Sequence, residues 1–260
     1  MIRDENIAPA PTLMQRCLAE FLGTAFLIFV GCGTLTASGF LGHTSSTFTP
    51  SDLLTVALGF GLAISIMVYA IGHISGCNIN PAVSLALACV RKLTWAEAGA
   101  YVVAQLLGGF VGALLLSIVF GRSAASVLGY GATDYNPALV NYFTAIIAEA
   151  IGTFFLLFVV MGTVIDKRAP AGWAGFSVGL TVTMGILVLG VVTGGNFNPA
   201  RAFGPTVVQM MFGGIYPFWH MFVYFIGPAI GAVAGVFTYS YLARARALRS
   251  ATYRGYETGD

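Results

Sequence analysis

Residues 72–82 read GHISGCNINPA, and residues 190–200 read GVVTGGNFNPA. Both stretches end on the same triplet, Asn80-Pro81-Ala82 in one and Asn198-Pro199-Ala200 in the other, and each triplet opens a short apolar run, about 80–90 and 198–212. Asn is a good N-cap, and Pro suits the first helical position because its missing N–H would have no helical partner anyway. A helix is therefore expected to start at each Asn. At about 1.5 Å per residue, some ten residues cover only about half of a roughly 30 Å hydrocarbon core. Segments of that length, set in apolar surroundings, read as re-entrant half-helices.

The surroundings are strongly apolar. Of 260 residues, 57% are hydrophobic and 8% charged, with a mean hydropathy of +0.85. Soluble domains carry roughly 25% charged residues, so this composition excludes a soluble monomer and a disordered chain alike. The 33 Gly suit helices packed closely in lipid. A net charge of +2 offers no nucleic-acid surface. Six stretches are long enough to cross a membrane: about 13–38, 52–74, 95–120, 141–164, 172–194 and 216–243. The first follows a polar stub, is too long for a signal-peptide core and lacks an A-x-A site. The expectation is an all-α integral membrane protein with six transmembrane helices and two re-entrant half-helices. Its organisation is an N-terminal stub (1–12), one membrane domain (13–243) and a C-terminal tail (244–260).

The two halves of that domain resemble each other. Residues 19–33, AEFLGTAFLIFVGCG, match 148–162, AEAIGTFFLLFVVMG. Gly108 and Gly112 match Gly227 and Gly231. Repeat 1 covers about 13–120 and repeat 2 about 141–243. Three crossings per half is an odd number, so the halves enter from opposite faces as an inverted repeat with an interrupted helix in each, a pattern that points to a midplane site. Of the 12 Lys and Arg, all but Arg201 lie in loops or tails. With both termini cytoplasmic, only Arg122 of these falls outside, which the positive-inside rule favours.

In such a repeat the half-helices meet N-terminus to N-terminus, and their positive dipole ends converge. The Asn80 and Asn198 amides then offer donors to an occupant of that point. Water or an alcohol can accept from them, whereas a cation meets two positive ends and is rejected. Oxygens held by both donors relay protons poorly. Three charged groups lie at membrane depth: Glu20, Glu149 and Arg201. The two carboxylates are repeat partners, expected to accept hydrogen bonds from the non-helical backbone leading into each half-helix, with direct contact to solute as the alternative. Arg201 stands in the first turn of a half-helix, where the dipole disfavours a cation, and its repeat partner is Val83. Asp52, Glu97, Asp134 and Asp166 are read as solvated charges at span ends or in loops. His43 and His220 carry no signal. Four Cys without CxxC or Cys/His spacing point to neither metal nor disulfide. No nucleophile–base pair suggests an enzyme, and no cofactor is implied.

Through both Asn-Pro-Ala motifs, the repeat and the AEF-x-GT opening of the first span, the chain resembles the aquaporin (major intrinsic protein) family from about Leu13 to Leu242. The resemblance implies a right-handed bundle, a pore in each subunit and a homotetramer in the lipid bilayer of a cell membrane. It makes Arg201 the arginine of the external selectivity filter, with Phe60, Ile186 and Gly195 as the other positions, and it places His73 at the inner mouth, although a lone His is more often structural. Water-selective members usually carry His where Ile186 stands, and glycerol facilitators carry Gly there. Phe, Ile, Gly and Arg look most like the filter of archaeal-type aquaporins. Ile186 takes away a polar group, and Gly195 contributes only backbone, so larger neutral solutes should be rejected less strictly. Ala202, Thr206 and Tyr224-Phe225 stand where facilitators carry other residues, which favours water. The expected function is passive conduction of water, with glycerol, other small neutral solutes or gases as further candidates. The alternatives are a glycerol facilitator and an ion-coupled transporter, which would need a titratable midplane cluster where this chain supplies amides. Short tails suit a prokaryotic membrane.

Overall fold

The chain is described by a computed structural model covering residues 9–41, 49–121 and 129–257, with side chains as far as Arg244. Helix α1 (Leu13–Leu41), α2 (Pro50–Ser75), the short α3 (Pro81–Cys89) and α4 (Trp95–Phe120) make the first half. The second contains α5 (Tyr142–Val160), α6 (Ala174–Thr193), the short α7 (Pro199–Met211) and α8 (Val223–Glu257). A one-turn π segment, Met161–Ile165, continues α5, and a 3₁₀ turn, Phe218–Phe222, leads into α8. Six helices among the described residues are long and apolar enough to cross a membrane. His43 and Arg122 lie outside the described residues.

Local chemistry sets the helix starts. Thr49 and Thr94 each form a capping box, with Asp52 and Glu97 reaching back to the cap backbone. Two of the acidic residues read from sequence as merely solvated therefore satisfy helix-end donors. The Thr49 cap also moves the start of α2 to Pro50, two residues before the expected position. α8 continues as helix past the expected domain boundary at 243 to Glu257, while the stretch apolar enough to cross a membrane ends at Arg244.

Packing follows the repeat. α1 crosses α4 and α5 crosses α8, and the matched glycines sit at these crossings. A Cβ at Gly108 would lie 2.3 Å from the Phe21 carbonyl oxygen, and one at Gly112 would lie 2.5 Å from that of Ala25. In the second half the same test puts a Cβ at Gly227 2.7 Å from the Ile146 oxygen, and one at Gly231 2.0 Å from that of Ala150. Close backbone approach of this kind drives association where lipid leaves no hydrophobic gain between helices. α2 and α6, one from each half, pack together, and Thr183 Oγ1 bonds across to the Ala57 carbonyl at 3.2 Å.

Gly231→Val should therefore overpack the α5–α8 crossing by about 1–3 kcal/mol or more, because the obstructing atom is backbone. A Cβ at Gly99, early in α4, meets nothing within 4 Å. Gly99→Ala should hold or raise stability by up to about 1 kcal/mol. The fraction of protein left monodisperse after heating in detergent would separate the two; equal behaviour would contradict the crossing geometry.

Candidate functional site

Between the long and short helices of each half the chain is not helical. Residues Gly76–Asn80 and Gly194–Asn198 lead into α3 and α7, and Cys77, Ile79, Gly195 and Phe197 take positive φ values of 50°, 43°, 56° and 55°. At membrane depth the free N–H groups of such a stretch need internal partners. Glu20, wholly buried in α1, provides them for the first stretch: Asn78 N at 2.9 Å and Ile79 N at 2.6 Å both donate to its carboxylate. Ser75 Oγ and Gln105 Nε2 donate to it as well, at 2.6 and 2.8 Å. Glu149 in α5 accepts from Asn196 N at 3.0 Å, Phe197 N at 2.7 Å and Thr193 Oγ1 at 2.6 Å. With these contacts made, neither carboxylate is among the residues lining the channel described below. Tyr101 and Tyr224 complete the pattern by donating to the last carbonyls of α2 and α6, those of Ser75 and Thr193, at 2.8 and 2.9 Å.

The half-helices begin at the two asparagines. Asn80 Oδ1 accepts from Ala82 N at 2.9 Å, and Asn198 Oδ1 accepts from Ala200 N at 3.0 Å and Arg201 N at 3.3 Å. Their amide groups also cross between repeats. Asn80 Nδ2 donates to the Phe197 carbonyl at 2.8 Å, and Asn198 Nδ2 donates to the Ile79 carbonyl at 2.9 Å. The two N-termini therefore meet. At about 1.5 Å per residue, nine and thirteen residues together extend about 33 Å, one hydrocarbon thickness. The cross-bonds qualify the sequence expectation: one hydrogen of each amide is committed to backbone, and one remains for an occupant.

A single cavity passes this meeting point, lined by both asparagines together with Phe60, Ile186, Gly195 and Arg201. Its walls elsewhere are mostly aliphatic, with Leu27, Val83, Leu156 and Val182 among them, and Lys92 borders it beyond α3. These apolar positions were not legible as pore-facing, since every helix is apolar on most sides. The guanidinium of Arg201 stands 4.7 Å from the centre of the Phe60 ring, and Nη1 donates to the Gly131 carbonyl. The aromatic face and the carbonyl offset the dipole cost of a cation in the first turn of α7. At Gly195 a Cβ would come within 3.0 Å of Ile186 Cα, so the absence of a side chain there goes with the closeness of α6. His73 does not line the cavity; it belongs to the last turn of α2 and is exposed.

Two loop acids also have partners. Asp166 is bound by Arg168 and, at 2.7 Å, by the Tyr239 hydroxyl, and the Arg168 bonds hold its carboxyl well below the usual range. Asp134 pairs with His220 at 2.7 Å. Asp166–Tyr239 and Asp134–His220 join residues 73 and 86 apart, so no local spacing reveals them.

An inverted repeat with half-helices meeting N-terminus to N-terminus beside a lined cavity defines a polytopic membrane channel protein. Residues 8–239 match the family of major intrinsic proteins, and the chain belongs to it. The chain is 40% identical to aquaporin AqpM of Methanothermobacter marburgensis over 242 residues, 89% of this chain and 98% of that protein. It is 37% identical to aquaporin NIP1-1 of Oryza sativa subsp. japonica over 238 residues, covering 90% of this chain and 76% of the relative. Among solved structures, an X-ray structure of the aquaglyceroporin from Plasmodium falciparum superposes with a TM-score of 0.75 at 26% identity, over 88% of this chain and 96% of that one.

Replacing either carboxylate by its amide turns an acceptor oxygen into a donor facing other donors. Glu20→Gln and Glu149→Gln should each lose about 1–3 kcal/mol or more, and the double variant should fail to fold. Thermal unfolding in detergent checks this; two single variants as stable as the parent would show that the approach loops do not depend on the carboxylates.

Proposed function

We propose that the chain is a passive channel for water and small neutral solutes that excludes protons and ions. The observation that supports it best is one cavity bordered by both half-helix N-termini, both Asn amides and Arg201. Each amide keeps one hydrogen for a passing oxygen, so a water at the midpoint accepts from both amides, donates to its neighbours on either side and cannot accept a proton from them. Two positive dipole ends and a guanidinium oppose a cation there. The titratable midplane cluster of an ion-coupled transporter is missing from the cavity lining of the described residues; the lining there is amide and aliphatic.

In this reading Phe60, Ile186, Gly195 and Arg201 form the selectivity filter, with Arg201 as its chief donor. Ile186 offers water no partner, and Gly195 adds no bulk, so glycerol is a candidate second permeant. The chain assembles as a homotetramer in a prokaryotic cell membrane. Both termini are cytoplasmic, as the distribution of Lys and Arg favours. His73, exposed near the end of α2, then lies toward the inner mouth.

Osmotic shrinkage of proteoliposomes, followed by stopped-flow light scattering, tests the proposal. Sucrose should give shrinkage much faster than in empty liposomes, with no accompanying proton current. Shrinkage at the rate of empty vesicles would overturn the channel reading, and a proton current would overturn the dipole argument. Ile186→His should lower glycerol re-swelling while water flux is retained. Unchanged glycerol flux would remove residue 186 from the constriction. Native mass measurement of the detergent-solubilised protein should give four copies.

A further inference from the structure

Arg201 owes its position to very little. Its guanidinium has one hydrogen-bond acceptor among the described residues, the Gly131 carbonyl, and one ring beside it, Phe60. Gly131 closes a buried 3₁₀ turn, Gly129–Gly131, that packs against Cys32 of α1 and Gln209 of α7 in the stretch between the two repeats. The cluster following Gly131 supplies a second restraint from the other side. Asp134 Oδ1 faces His220 Nδ1 at 2.7 Å, and Tyr135 Oη faces His220 Nε2 at 3.2 Å. A carboxylate only accepts, so in the neutral ring Nδ1 carries the proton and Nε2 accepts from the Tyr135 hydroxyl. Trp219 stacks edge-on against the imidazole at 3.9 Å between centroids. One residue before Asp134, the Thr133 carbonyl accepts from Tyr216 Oη at 3.0 Å, and Thr133 Oγ1 accepts from Asn196 Nδ2 at 2.6 Å. Asn196 in turn accepts from the backbone N–H of Asn198 at 3.1 Å.

We propose that the Asp134–His220–Tyr135 cluster, together with Tyr216, is a clamp that fixes the inter-repeat segment and so sets the position of Arg201, making Asp134 and His220 positioning residues for solute selectivity. The proposal rests on the channel reading above. Asp134 is the member that reaches solvent, its side chain 41% exposed, while that of His220 is 11% exposed and Tyr135 is buried. The clamp acts through three residues of backbone on the carbonyl that Arg201 binds. The same segment holds Asn196 beside the second half-helix, so the clamp bears on two groups bordering the cavity. Without it, the Gly131 carbonyl is held from the α1 and α7 side alone, its bond to Arg201 slackens, and a constriction that discriminates by size becomes less strict.

The experiment compares Asp134→Ala, His220→Ala and Asp134→Asn in proteoliposomes, measuring water and glycerol permeability of each. Loss of one hydrogen-bonded restraint should raise the glycerol-to-water ratio roughly three- to tenfold in the Ala variants. Asp134→Asn should restore the parental ratio, because its Oδ1 still accepts from Nδ1–H. A folding defect alone would lower both permeabilities by one factor and leave the ratio where it was, and that result would overturn the proposal. Backbone hydrogen exchange across residues 129–140 gives a readout that does not depend on transport. Exchange should quicken in Asp134→Ala and not in Asp134→Asn; unchanged protection in Asp134→Ala would overturn the clamp. If the parent protein conducts no water, the channel reading falls while exchange still decides the clamp. Should the Ala variants give no monodisperse protein, Tyr216→Phe removes a single hydroxyl from the same strap and must shift the ratio in the same direction.

Discussion

Two carboxylates deep in the membrane hold the rest of this structure in place. A chain that unwinds at bilayer depth exposes N–H groups with no water to satisfy them, and each one left bare costs several kcal/mol. Glu20 and Glu149 receive those donors, two backbone N–H groups each, plus side chains of Ser, Gln or Thr. A neutral acceptor could not serve as many at once, which is why charge is retained here despite the cost of burying it. Once the approach loops are bound, the asparagines that follow are delivered to the midplane, each facing a carbonyl of the other loop. The channel is thus a consequence of how unwound backbone is made tolerable, and its position follows from the two glutamates standing one in each repeat.

The glycine crossings do related work on the outside of the same assembly. Glu20 and Glu149 sit on α1 and α5, the helices that Gly108, Gly112, Gly227 and Gly231 allow α4 and α8 to approach closely. α4 also meets α7 at short range: a Cβ at Gly204 would lie 2.2 Å from the Gly109 carbonyl oxygen. The half-helices are therefore held against close-packed backbones on one side and border the cavity on the other. Aliphatic side chains that face the cavity complete its wall without competing for the hydrogen-bonding capacity of a passing solute.

Much of this was legible in the sequence because it rests on patterns that survive in one dimension. Asn-Pro-Ala repeated at matched positions gave the half-helices and their direction; long apolar runs gave the crossings; AEF-x-GT and AEA-x-GT gave the paired glutamates. What could not be read depends on partners brought together only in three dimensions. His220 and Asp134 are 86 residues apart and carry no periodicity. The cross-bonds from Asn80 to Phe197 and from Asn198 to Ile79 use backbone carbonyls, which every residue has.

The scaffold is close to symmetric, and its departures from symmetry collect on one side. Asn78 and Asn196 are repeat partners. Asn78 donates to Ser84 at 3.1 Å, within its own half-helix. The residue equivalent to Ser84 is Ala202, which has no acceptor side chain, so Asn196 turns to Thr133 instead. Val83 is likewise replaced by Arg201, which needs an acceptor and finds it at Gly131. Both substitutions send a polar group of the second half toward the segment between the repeats, the one part of the chain that an inverted duplication leaves without a counterpart. Arg201 therefore borders the cavity with no charged counterpart in the first half, where Val83 stands. Two identical halves would have given two identical mouths, and the unrepeated segment is where the second half could acquire contacts that the first half has no means to make.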